Sequence, residues 1–69
     1  MNEEYLLRIR FCQAARTTRH AIADELGYNP PKAGGSDFGW DGEVLRLIKE
    51  NNQMDRLKRI LIKRGILRD

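Results

Sequence analysis

Both prolines of this 69-residue chain stand side by side, at Pro30 and Pro31. Proline lacks the backbone donor and clashes with the preceding helical turn, so the strongest helix breakers fall at one point and leave both flanking stretches free to be helical. The first stretch uses that freedom. Leu7, Phe11, Ala15, Thr18, Ile22 and Leu26 recur at spacings of four and three, which places them on one helical face. Two readings of residues 3–26 stand side by side: a single helix, or a helix pair split near Ala15 with Thr17 or Thr18 capping the second member. Gly27 closes either version as a left-handed C-terminal cap, with the prolines shortly after it.

Residues 27–41 read as a long Pro/Gly loop, because they hold both prolines, Gly27, Gly34, Gly35 and Gly39. The aromatics Tyr28, Phe38 and Trp40 argue that its second half folds back onto the helices, with Trp40 in the core. Asp41 serves as N-cap for a helix over residues 42–51, in which Val44, Leu47 and Ile48 share a face. From Ile48 to Met54 is six residues, far out of phase at 3.6 residues per turn, so Asn51-Asn52-Gln53 reads as a break. A last helix over residues 53–64 follows, ended by Gly65 with Ile66 packing back near Leu61. The expected fold is all-α: a small single-domain bundle of three or four helices, with the long Pro/Gly loop between the first and later ones. Its predicted core is Leu7, Phe11, Ile22, Leu26, Trp40, Val44, Leu47, Ile48, Leu57, Ile60 and Leu61.

Charge is distributed unevenly along this plan. Residues 55–69 carry six basic side chains against two acidic ones, a net +4, while the first fifty-four carry seven against eight, a net −1. Within the last helix Met54, Leu57, Ile60 and Leu61 form one arc, and Arg56, Arg59 and Lys63 project from the opposite side. Spacings of three and four put these cations about 5 to 6 Å apart along one line, a geometry that follows the phosphates of a nucleic acid. Arg56, Arg59 and Lys63 are therefore the candidate contacts to nucleic acid or to an acidic protein. The plainer reading is a solvated helix face, since basic residues are favoured near helix C-termini anyway. Residues 43–64 also have the outline of a helix-turn-helix, although the turn lacks the glycine often found there. Arg8, Arg10, Arg16 and Arg19 form a second basic group, flanked by Glu3, Glu4, Asp24 and Glu25 and so readable as ion-paired surface.

Other chemistry finds little support in the sequence. Cys12 is the only cysteine, so no intrachain disulfide exists, and its apolar and small neighbours predict a buried structural thiol. His20 is the only histidine and reads as a surface or capping residue rather than a metal ligand. Asp37-Phe38-Gly39 imitates a kinase metal-binding triplet, but the chain is far too short for a kinase. No nucleophile, base and orienting acid share a spacing logic, so the expectation is a protein that is not an enzyme, without metal or cofactor. No apolar run reaches the roughly 18 residues that span a bilayer, and the acidic N-terminus is not that of a secretory signal, so a cytoplasmic location is expected. Sixty-nine residues bury a small core. Self-association, or a partner anchored by Tyr28, Phe38 and Trp40, would extend it.

The segment Tyr5-Leu6-Leu7-Arg8-Ile9-Arg10-Phe11-Cys12-Gln13, followed by Thr17 and Ile22, resembles the opening of the Hha family of small nucleoid-associated modulators. That resemblance implies an all-helical, cytoplasmic bacterial protein that adjusts gene silencing through an H-NS-type DNA-binding partner. It covers barely a quarter of the chain. Beyond Gly27 the sequence departs, with a proline and glycine stretch where the family has a later helix bearing an Ala-Asp-His-Arg type motif. No functional residue is carried over.

Overall fold

The computed structural model describes residues 2–32, 35 and 37–68, except for the side chain of Phe38. Four helices follow in order, α1 (Glu3–Gln13), α2 (Arg16–Leu26), α3 (Asp37–Glu50) and α4 (Met54–Lys63), with no strand among the described residues. The chain is therefore an all-α bundle. Its Cα radius of gyration, 11.3 Å, is close to the value of about 11 Å expected of a compact chain of this length.

Local chemistry accounts for most helix ends. Asn2 caps α1 by accepting the Glu4 amide at 2.8 Å, and Glu3 and Glu4 in the first turn suit the helix dipole. The 3–26 stretch is a pair: Ala14 and Ala15 are both extended, with ψ of 155° and 151°. Ala15 is the N-cap of α2 and offers no side-chain bond, so neither Thr17 nor Thr18 caps it. What holds this junction is Arg19, whose Nη1 donates to the Ala14 carbonyl at 2.6 Å. At the other end Gly27 has φ of 100°, and the Tyr28 amide donates to Ala23 O at 2.8 Å, the Schellman arrangement. Gly65 repeats the device after α4 with φ of 77° and an Ile66 amide bond to Leu61 O of 2.9 Å.

The expected 27–41 loop and 42–51 helix need correction. Helix α3 begins at Asp37, so residues 37–41 are helical and Asp41 lies inside the helix rather than at its N-cap. Asp37 occupies the first turn, where a carboxylate is favoured by the dipole, and it is anchored there by side chains of α2. Of the loop, residues 33, 34 and 36 lie outside the described residues. Trp40 Nε1 donates to Asn29 O at 2.9 Å, which ties α3 to the chain leaving α2.

The turn between α3 and α4 places Asn52 at φ of 56°, the left-handed conformation that asparagine tolerates better than most residues. Gln53 Nε2 donates to Leu26 O, and Tyr28 Oη donates to Gln53 Oε1 while accepting from Asn51 Nδ2 at 2.9 Å. The turn is thus fastened to the C-terminal end of α2.

Helix α4 packs against each of the other three helices. Its Leu57, Ile60 and Leu61 enter a core completed by Leu7, Phe11, Ile22, Ala23, Leu26, Val44, Leu45 and Ile48. The predicted core needs three amendments. Leu47 is half-buried and Leu45 takes the buried position beside Val44 and Ile48; Ala23 is buried as well. Trp40 is partly buried and packs against the core from outside.

Candidate functional site

Because α4 is buried along Leu57, Ile60 and Leu61, its remaining side chains are sorted by geometry into a flank and an outer face. Arg56, Arg59 and Lys63 are all exposed, and at 100° per residue they fall within about 60° of one another. None of the three forms an ion pair among the described residues. The other cations of this element are compensated. Lys58 reaches Glu3 of α1 at 3.1 Å, and Arg64 lies 3.7 Å from Glu25 of α2. A shallow depression lined by Asp55, Lys58, Arg59, Ile62 and Lys63 runs along the outer face. The result is a ridge of uncompensated positive charge fixed on a helix whose opposite side is locked into the core.

The remaining arginines have different fates. Arg19, expected in a surface group with Glu3, Glu4, Asp24 and Glu25 as neighbours, turns inward to α3 instead. Its Nη2 donates to Asp37 Oδ2 at 2.9 Å and its Nε to Asp41 Oδ1 at 3.2 Å. Desolvation opposes the charge on Arg19, but Asp37 and Asp41 more than offset it and hold the guanidinium above its ordinary range. Asp37 also accepts from His20 Nε2 at 3.0 Å, with Arg16 Nε 3.3 Å from its other oxygen. That oxygen, Oδ1, is buried and accepts no hydrogen bond among the described residues. Desolvation would raise the Asp37 carboxyl, yet the bonds from Arg19 and His20 and the charges of His20 and Arg16 hold it below the usual range. The His20 ring meets Trp40 edge to face, with centroids 4.9 Å apart. The acidic member of the Asp37-Phe38-Gly39 triplet is therefore the clamp between α2 and α3, a role invisible in the triplet itself.

The aromatic candidates are engaged within the fold. Tyr28 and Trp40 spend their polar atoms on Gln53, Asn51 and Asn29, and both pack against the core. The side chain of Phe38 lies outside the described residues. Sequence reasoning passed over Tyr5, an exposed large hydrophobic residue at 56% exposure. Cys12 also requires correction, since it is exposed rather than buried. The helix face it shares with Tyr5 points away from Leu7 and Phe11. Partial desolvation, followed by the nearby Asp41 charge, pushes its thiol up, so it is a poor thiolate.

No group of three or more His, Cys, Asp or Glu side chains among the described residues is arranged to hold a metal ion. Among the described residues no helix is long and apolar enough to cross a membrane. No protein-family model matches the chain, and neither a curated protein nor a solved structure matches it.

Proposed function

We propose that this protein is a small non-enzymatic regulator that binds nucleic acid, directly or through a DNA-binding partner, with the outer face of α4 as its contact. The observation that carries this reading is the selective compensation of charge. Lys58 on one flank of α4 and Arg64 at its C-cap have acidic partners from α1 and α2, whereas Arg56, Arg59 and Lys63 are left exposed together in one line. A face that served solubility alone gains nothing from like charges three and four residues apart, which repel by a few tenths of a kcal/mol per pair. A polyanion turns the same arrangement into attraction. From Arg56 to Lys63 the helix rises roughly 10 Å, about three phosphates of one strand at 3.4 Å each. The likeness of Tyr5–Gln13 to the Hha family agrees with a regulatory role, and α1 is the helix that carries it.

The test is fluorescence anisotropy of a labelled duplex with the wild-type protein and the Arg56→Gln, Arg59→Gln, Lys63→Gln variant, at low and physiological salt. Binding that weakens steeply with salt and disappears in the folded variant is expected. Equal affinity of wild type and variant would overturn the assignment of the site.

A further inference from the structure

We infer that the phosphate-binding surface is a platform of two helices, in which Arg10 of α1 and Arg68 beyond α4 extend the line of Arg56, Arg59 and Lys63. This rests on the polyanion reading of α4.

Two contacts fix the relation of α1 to α4. Near its start, α1 meets the middle of α4 through the Glu3–Lys58 ion pair at 3.1 Å. Further along, Leu6, Arg10, Gln13 and Ala14 share one open depression with Gly65, Ile66, Leu67 and Arg68. Advancing along α1 therefore advances along α4, and the two helices lie side by side in the same direction. The contact runs along the flank of α4 that carries Lys58, and Ile62 follows one turn later on that flank. On the next arc of α4 lie Arg59 and Lys63. On α1, Glu3, Leu6, Arg10 and Gln13 follow one another at spacings of three and four, so the residues bordering α4 form a continuous edge. Arg10 is consequently on the edge of α1 nearest the basic ridge, at the end where Lys63 and Arg68 lie.

The two arginines at this end are uncompensated. Arg10 Nη1 donates to Gln13 Oε1 at 3.1 Å, a neutral partner that orients the guanidinium and leaves its charge whole. Neither Arg10 nor Arg68 forms an ion pair among the described residues. The depression between them is open and lined by Leu6, Ile66 and Leu67 together with the two arginines, so a phosphodiester backbone lying across it can set its phosphates on the cations and its sugars against the apolar lining. Two helices side by side do not enter one groove as a single recognition helix does, so the platform tracks the backbone and reads little sequence.

Counterion release makes the extension measurable. With log K falling by about 0.9 per phosphate contact for each log unit of salt, five contacts give a loss of about 500-fold in affinity between 50 and 200 mM salt, and three contacts about 40-fold. The experiment compares wild type, the α4 triple variant and the Arg10→Gln, Arg68→Gln variant by anisotropy on one labelled duplex across that salt range, with circular dichroism as the folding control. The expected result is a salt slope about two units shallower for Arg10→Gln, Arg68→Gln, recovered in an Arg10→Lys, Arg68→Lys protein, which keeps the charge and discards the planar fork. A double variant with wild-type affinity and slope, while the triple variant is impaired, would overturn the platform and leave α4 as the whole site. Absence of duplex binding by the wild type at low salt would instead remove the reading on which the platform rests.

Discussion

Arg19 is the residue on which most of the local architecture turns. It bonds the Ala14 carbonyl at the α1–α2 junction and two carboxylates of α3, so one side chain closes a helix break and clamps two helices. Removing it leaves the Ala14 carbonyl and the Asp41 carboxylate without their side-chain partner and takes from Asp37 one of its three, which is the costly direction of change. Arg46 makes an instructive contrast, because its partners Glu43 and Glu50 are exposed neighbours on its own helix. Arg19→Ala is expected to lower the melting temperature markedly and Arg46→Ala to leave it almost unchanged. Equal effects in thermal melts would contradict the clamp. Asp37 provides the pH dependence of the same contact. Its native pKa is depressed, so its contribution is present above the unfolded carboxyl value near 4 and is lost as pH falls through the native value. Melting temperature should therefore drop on acidification below about pH 4, and that drop should be shallower in Asp37→Asn.

Glycines show how the same substitution reverses sign with backbone conformation. Gly27 sits at φ of 100°, where a side chain is strained, so Gly27→Ala should cost about 1 to 2 kcal/mol. Gly42 is helical and exposed, and a Cβ there would meet nothing within 4 Å. Gly42→Ala should therefore stabilise by about 0.5 to 1 kcal/mol. Urea denaturation of the two variants checks both signs.

At the scale of elements, α4 is at once the keystone and the candidate contact surface. It touches all three other helices, and its Leu57 is fully buried. Leu57→Ala should cost about 2 to 5 kcal/mol, a large share of the roughly 3 to 10 kcal/mol available to a domain of this size. Urea denaturation should show the variant partly or wholly unfolded. Two of the helix stops, Gly27 and Gly65, and the phase break at Asn51-Asn52-Gln53 are visible in the sequence because each acts through the conformation of its own residues. The start of α3 is not. Asp37 through Asp41 contain two carboxylates and Gly39, a composition that reads as turn, and they are helical where Arg16, Arg19 and His20 of α2 receive the acids.

At the scale of the molecule, the buried apolar residues and the exposed Arg56, Arg59 and Lys63 lie on opposite sides of the C-terminal helix. Because Arg56, Arg59 and Lys63 make no ion pair among the described residues, replacing all three with Gln should leave the domain at least as stable, since repulsion at spacings of three and four is relieved. A calorimetric melting temperature well below wild type would show that these side chains support the fold. The sequence alone determined that the chain is helical, that its last helix is amphipathic, and that its positive excess collects there. Period, capping residues and local charge are properties of neighbours in the chain, and they survive without knowledge of the fold. Only the tertiary structure decided that α1 and α2 are separate, that Cys12 faces outward, that Leu45 rather than Leu47 is buried, and which cations are left without a partner. Each of these depends on residues far apart in sequence, Arg19 with Asp37 or Lys58 with Glu3, meeting across helices, and the pairing of charges is settled by that packing.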